Sequence, residues 1–238
     1  EYQFIEPHDD LNMGQSTNDV YPTAIHIALI LHNDKVIKEA ELLAQAFHKK
    51  GEEFKSLIKM GRTEGQDAVP MTLGQEFHAF GSQIDAAIDA LRKSETYLYE
   101  VNMGATAIGT GLTASPGYAE KCVAQLATLT GKPIVAPKDL IAATSSMQAF
   151  VMFSSAYKNL AVTLSKISSD LIFLATGPRN GIFEINLPAL QPGSSIMPGK
   201  VNPVMPEVMN QVCYKVMGND ATVTIASRDG LLQLNAYE

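Results

Sequence analysis

Residues 146–175 read SMQAFVMFSSAYKNLAVTLSKISSDLIFLA, and this run decides the fold. Phe150, Tyr157, Leu164 and Leu171 recur every seven residues. Ser154, Ala161, Ser168 and Ala175 recur in the other apolar register. Such spacing keeps one face of an α-helix apolar. Large side chains alternate with small ones, which lets neighbouring helix backbones approach closely. Neither Pro nor Gly interrupts the run. At about 1.5 Å per residue the helix would be roughly 45 Å long.

The same periodicity extends outward. A first helix is expected over residues 21–50, capped by Asn18 or Asp19, with Pro22 in its first turn and Gly51 as its stop. Ile25, Leu29, Val36, Ala40, Leu43 and Phe47 hold its apolar face. A second is expected over residues 73–101, with Ile84, Ile88, Leu91 and Leu98 on one side, and a shorter one over 117–129. A last helix starts near Pro206 and carries Val208, Val212, Val216 and Val223. The segments between, residues 60–70, 104–117, 131–137 and 177–206, are rich in Gly and Pro, and strand signals are weak. The expected architecture is an all-α bundle of very long helices with its chemistry in the connecting loops. Helices of this length exceed a compact monomer of this mass, so their apolar stripes are expected to meet other subunits, the alternative being an extended intramolecular hairpin bundle.

Composition narrows the function. The 238 residues are 46% hydrophobic and 18% charged, a globular balance. A net charge of −7 argues against a nucleic-acid surface, which needs clustered Lys and Arg. Cys122 and Cys213 are the two cysteines, too few for a disulfide framework and without zinc spacing, so a reducing, cytoplasmic setting is the default. Glu1 to Asp10 is polar and acidic, unlike a signal peptide, and no run of about 18 apolar residues suggests a membrane span. Tyr2-Gln3-Phe4-Ile5 and Leu231-Leu232-Gln233-Leu234 read as the middle of a chain, so residues 1–238 are expected to be one domain of something longer, with 1–20 as its lead-in.

The most informative loop is Gly193-Ser194-Ser195-Ile196-Met197-Pro198-Gly199-Lys200-Val201-Asn202-Pro203. It approaches a phosphate-binding P-loop but fails it. Five residues separate its glycines, Val201 stands where a magnesium-binding Ser or Thr belongs, and no apolar strand precedes it. It is not a nucleophile elbow either. What remains is a Gly-flanked loop with two hydroxyls, an ammonium and an amide, set at the positive end of a helix, an arrangement suited to an anion. Gly109 to Ala114 matches a loose dinucleotide fingerprint without the surrounding βαβ unit and reads as a tight loop. Gln15-Ser16-Thr17-Asn18-Asp19 serves equally as a plain helix cap or as a carboxylate cradle. His8, His26, His32, His48 and His78 show no metal-ligand spacing, so no metal site is expected. Glu184 and Glu207 are isolated in sequence and are expected to form structural ion pairs.

Taken together, the loop over residues 193–203, the segment Ser16-Thr17-Asn18-Asp19 and the segment Gly61-Arg62-Thr63 with Gln66-Asp67-Ala68-Val69-Pro70 resemble the three motif regions of the aspartase/fumarase superfamily, in the right order. The resemblance covers essentially the whole chain. Residues 101–111 and Pro206 to Val212 are worded more like the aspartate-deaminating branch than like the fumarate hydratases. It implies a central helical domain in a tetrameric helical core, with each active site shared between subunits. The implied reaction is L-aspartate to fumarate and ammonia through an aci-carboxylate, with no cofactor. Ser194 would be the general base and Lys200 its charge-stabilising partner. Ser16, Thr17, Asn18, Thr63, Ser195 and Asn202 would bind the dicarboxylate. Glu64 departs from the pattern, since the aspartate-deaminating branch carries Gln or His there. Because fumarases usually carry His at this position, Glu64 also counts against the hydratase reading. The resemblance places it near Glu207, so either one carboxyl of the pair stays protonated or Glu64 attracts the substrate ammonium. The alternatives are a fumarate hydratase, with the same loop and intermediate, and a non-catalytic scaffold, since the superfamily fold also serves as a structural lens protein.

Overall fold

The computed structural model describes residues 4–238 and is predominantly helical. A single π-helical turn, Pro7–Leu11, leads into α1 (Thr17–Glu53). The hairpin strands β1 (Ile58–Thr63) and β2 (Gln66–Thr72) follow, then α2 (Leu73–Glu95), a 3-10 turn (Thr96–Leu98), α3 (Tyr118–Thr130), α4 (Leu140–Ser145), α5 (Gln148–Leu174) and α6 (Val204–Arg228). At about 1.5 Å per residue, the 37 residues of α1 extend roughly 55 Å. No described helix is long and apolar enough to cross a membrane.

The chain divides into two compact units. One contains residues up to 37, 90–155 and 220–238; the other contains residues 38–89 and 156–219.

In the first unit, Ile30, Leu91, Leu98, Val101 and Phe153 form the buried core. The start of α1 is settled by backbone accounting. Ser16 Oγ accepts from the Asn18 amide at 3.3 Å, and the Asp19 carboxylate accepts from the Ser16 amide at 3.1 Å. Ser16 and Asp19 thus satisfy each other's end of the helix, where the sequence suggested Asn18 or Asp19 alone. Pro22 has no N–H to offer the carbonyl four residues back. That carbonyl, of Asn18, accepts instead from Asn102 Nδ2 at 2.7 Å. A polar cluster lies deeper. Asn33 Nδ2 donates to Glu95 at 2.6 Å, while Lys132 bridges Glu95 and Asp34 at 3.0 Å each. Burial beside the Glu95 carboxylate pushes the Tyr99 hydroxyl up to about 12.

In the second unit, Phe47, Phe54, Phe77 and Phe80 pack edge to face or tilted, beside Ala44, Ile84 and Ile88. Gly51 does not stop α1, which runs on to Glu53. Residues 60–70, expected to be loop, form most of an antiparallel hairpin instead. Glu64 and Gly65 take φ of 53° and 76° at its tip, the left-handed pair that suits a two-residue hairpin turn. The Gly and Pro that made this stretch read as loop are tolerated because each strand of a two-stranded ribbon is an edge.

Two helices bury large side chains or polar groups other than the large apolar residues their patterns singled out. On α5 the large buried side chains are Phe153, Leu160, Ile167 and Leu174, a seven-residue repeat three places on from Phe150, and Ala161 and Ser168 of the expected small-residue register are buried beside them. Phe150, Tyr157, Leu164 and Leu171 are only half-buried. On α6 the buried residues include Asn210, Cys213 and Asp220, whereas Val208 and Val212 are 48% and 55% exposed. The buried polar groups are satisfied, Asn210 Oδ1 by Ser165 and Asp220 by Ser154, both at 2.8 Å.

Candidate functional site

The sequence-derived site residues fall into two groups. Ser16, Thr17 and Asn18 lie in the first unit, and Thr63, Glu64, Ser194, Ser195, Lys200, Asn202 and Glu207 lie in the second.

Asp19 anchors the first group. It is fully buried, and its carboxylate also accepts from the Thr106 amide at 3.0 Å, tying the start of α1 to the glycine-rich loop over 104–117. Burial raises its carboxyl above the ordinary range against the pull of these backbone donors. The loop itself needs glycine. Gly109 has φ of 95°, and a Cβ there would lie 2.4 Å from Ile141 Cα. Thr17 is exposed and Ser16 is half-buried. The Asn18 amide donates to Glu238 at 2.5 Å and to the Asn235 carbonyl at 3.4 Å. Its side-chain amide therefore meets a carboxylate and a backbone carbonyl of the same chain. A neighbouring cavity of about 490 Å³ is lined by His26, Asn102, Lys138, Met147 and Phe150 among others.

In the second group, the hairpin tip presents Thr63 and Glu64 to solvent. Its base is clamped by Glu184. Arg62 Nη1 lies 2.6 Å from one carboxylate oxygen and Lys59 Nζ 2.8 Å from the other, while Lys59 also meets Glu76 at 2.6 Å. Burial pushes the Glu184 carboxyl up, but Lys59 and Arg62 outweigh it and hold it below the ordinary carboxylate range. The structural ion pairing expected for Glu184 is thus present. Glu207 stands exposed in the first turn of α6.

The 193–203 loop is braced from within. Asn202 Nδ2 donates to the Gly193 carbonyl at 2.8 Å, closing the loop at its base. Gly193 lies against the Lys200 carbonyl, where a Cβ would come within 1.5 Å of the oxygen. The Ile196 and Met197 amides both point at Ser194 Oγ from 3.3 Å. α6 begins directly after the loop, at Val204. Ser195 and Lys200 are exposed, and Ile196 at the tip is 82% exposed. Ser194, Lys200 and Asn202 therefore share one braced element. Among the described residues, no hydrogen bond or ion pair joins Thr63 or Glu64 to it, or Glu64 to Glu207.

Such an element presents a serine oxygen flanked by two N–H donors, which favour its anion, and carries an ammonium at Lys200 that an anionic ligand could meet. Sequence reasoning missed Asp19 and the Lys59–Glu184–Arg62 clamp as parts that position these segments. The clamp's members are too far apart in sequence for spacing to reveal, and Asp19 read as one of several cap candidates.

Comparison with known proteins gives the chain its family. A family model described as "Lyase" matches residues 2–218. An aspartate ammonia-lyase of Pseudomonas aeruginosa is 56% identical over the whole chain, and that of Escherichia coli K12 is 53% identical. The chain spans about half the length of these curated relatives, 50% in each case. Among solved structures, a "fumarate lyase:delta crystallin" from Brucella melitensis, bound to cobalt, superposes with a TM-score of 0.95 at 53% identity, over the whole chain and 52% of that one. A class II fumarase from Schistosoma mansoni gives 0.93 at 36% identity, over 97% of this chain and 52% of its own.

Proposed function

The chain belongs to the lyase family, and from that membership we propose that the protein catalyses the reversible deamination of L-aspartate to fumarate and ammonia. The observation that carries this reading is the pair of backbone amides at 3.3 Å on Ser194 Oγ. A free serine hydroxyl is far too weak an acid to ionise near neutrality. The two N–H donors favour its anion over its neutral form, and Lys200 and the start of α6 follow in the same loop segment as further positive groups for the substrate.

The step is written with Ser194 as base. Its oxyanion takes the proton from the carbon beside the side-chain carboxylate of aspartate. The freed electron pair moves onto that carboxylate, which becomes a doubly charged aci-carboxylate. Lys200 and Asn202, with Thr17, Asn18 and Thr63, are assigned to stabilise that charge, and Ser16 and Ser195 to bind substrate. The electrons then return to form the double bond as the carbon–nitrogen bond breaks, and ammonia leaves. Enzyme groups carry both proton and charge, so no step is routed through a cofactor. The exposed tip at Ile196 and Met197 suits a loop that closes over its substrate and excludes water.

The proposal includes a homotetramer with each site shared between subunits. It is supported by exposed apolar residues along the long helices, among them Leu31 and Leu42 on α1, Met152 and Val162 on α5, and Val208, Val212 and Ile225 on α6. Two free cysteines fit a cytoplasmic enzyme. The hydratase reading is weaker, because the aspartate ammonia-lyases are 53–56% identical and the fumarase 36%.

The test is an absorbance assay of the full-length protein with L-aspartate and malate offered separately. Fumarate from aspartate, abolished by Ser194→Ala with helical content and assembly unchanged, is the expected result. Fumarate from malate alone would overturn the substrate, and near-normal turnover in the variant would overturn the base.

A further inference from the structure

Two imidazoles of the second unit face each other from α1 and α2. His48 Nδ1 lies 3.2 Å from His78 Nδ1. The other nitrogen of each ring is taken by a carboxylate. His48 Nε2 is 2.8 Å from Asp85 Oδ2, and His78 Nε2 is 3.0 Å from Glu52 Oε1. An ionised carboxylate only accepts, so each Nε2 carries a hydrogen and donates it. In a neutral imidazole the remaining nitrogen is then a bare acceptor. With both rings neutral, the two Nδ1 lone pairs meet with no hydrogen between them, and the arrangement calls for a positive species there.

The spacing suits a metal ion. Zinc–imidazole bonds of about 2.0–2.1 Å put two nitrogens about 3.4 Å apart at a tetrahedral angle and about 2.9 Å apart at a right angle. The observed 3.2 Å lies between these. A carboxylate on the far nitrogen is also the outer shell that fixes tautomer and ring orientation in histidine metal sites.

The backbone holds the rings in place reciprocally. A Cβ at Gly51 of α1 would lie 2.5 Å from the His78 ring, and one at Gly81 of α2 would lie 2.7 Å from the His48 ring. Each imidazole thus occupies a notch that a glycine on the opposite helix leaves open. The His48 and His78 side chains are 35% and 37% exposed, so an ion can reach them.

We propose that His48 and His78 form a binding site for a divalent transition-metal ion such as Zn²⁺, Co²⁺ or Ni²⁺. The ion is held by the two Nδ1 atoms, with water in the remaining positions, and Asp85 and Glu52 orient the rings. Imidazole donors select these ions over Mg²⁺ or Ca²⁺. Among the described residues no three His, Cys, Asp or Glu side chains gather as a ready-made cage, so the protein supplies two ligands. The pair escapes sequence motifs because its members stand 30 positions apart on different helices. It revises the sequence-based expectation of no metal site, and it shares no residue with the 193–203 loop.

The experiment titrates Co²⁺ into the full-length protein after chelator treatment. It follows the visible absorption of imidazole-bound cobalt and the bound metal per subunit, with Zn²⁺ as competitor. Saturation at one ion per subunit is expected, lost in both His48→Gln and His78→Gln. Asp85→Asn changes only an exposed carboxylate, so the fold tolerates it, and it should weaken binding about 10- to 100-fold. Equal binding by the wild type and the His48→Gln/His78→Gln double variant would overturn the site. So would the absence of binding in the wild type, which leaves a shared proton between the rings. The readout is metal content, so a failed aspartate assay bears on the lyase reading and leaves this one untouched.

Discussion

Gly193→Ala is the sharpest perturbation of the proposed catalytic loop. An alanine Cβ at this position would come 1.5 Å from the Lys200 carbonyl oxygen and 2.4 Å from its carbon, whereas real Cβ contacts do not fall under 3.0 Å. Both atoms are backbone, so no rotamer change relieves the clash. One side of the loop must move by about 1.5 Å, the difference between 3.0 Å and 1.5 Å. That movement separates the segment carrying Ser194 from the segment carrying Lys200 and strains the closure made by Asn202. A misplacement of about 1 Å can cost roughly 10²-fold in rate, or about 2.7 kcal/mol. kcat/KM for fumarate release from L-aspartate, read by absorbance in the full-length protein, should fall by about that factor with the circular dichroism unchanged. Gly199→Ala is the matched control. Gly199 has φ of 77° but nothing within 4 Å of an added Cβ, so its cost is the left-handed backbone alone, about 1–2 kcal/mol. Gly193→Ala should therefore be the more damaging of the two. Retention of kcat/KM within about threefold in Gly193→Ala, a change under roughly 0.7 kcal/mol, would refute the idea that this close approach sets the geometry of base and ammonium.

Other consequences follow from the packing and the charges. Glu184→Gln removes the carboxylate that Lys59 and Arg62 share, and should destabilise by about 2–3 kcal/mol, since hydrogen bonds to charged groups are worth about 1.5–3 kcal/mol and Lys59 keeps Glu76. Because the Glu184 carboxyl is held below its ordinary value of 4.5, that contribution is fully present above this pH and is lost as pH falls through the lowered value. Denaturant titrations of wild type and variant should accordingly converge in acid, and a constant difference would count against the clamp. Leu91→Ala, at a position with no exposure, should cost about 2–5 kcal/mol in the same titration. Val212→Asp, at a position 55% exposed on α6, should leave helical content intact yet shift the light-scattering mass below that of a tetramer; an unchanged mass would remove this face from the interface.

How much of this was legible in the sequence depends on the distance over which each signal acts. The long helices were legible because a 3.6-residue period repeats many times within one element, and Ile84, Ile88 and Leu91 of α2 are buried as their spacing implied, although α2 ends at Glu95 and Leu98 is buried in the 3-10 turn that follows. The face that α5 buries was less so, because apolar residues occupy two registers and the choice between them belongs to the neighbours. Phe153 and Leu160 won over Phe150 and Tyr157, which leaves the expected large-residue register half-buried while Ala161 and Ser168 of the small-residue register are buried. The β1–β2 hairpin was missed because Gly61, Gly65 and Pro70 are loop signals in isolation. Only pairing across the Glu64–Gly65 turn makes them an edge ribbon.

The same reasoning separates the two proposed sites. The 193–203 loop could be read in advance because Ser194, Lys200 and Asn202 stand within nine residues, and its folded form adds what no motif contains, two amides on one hydroxyl. The imidazole pair could not, since its meaning rests on Asp85 and Glu52 fixing which nitrogen of each ring is bare. A metal motif records ligands by spacing. Here the decisive information is a tautomer, and a tautomer is set by partners that only the folded helices bring together.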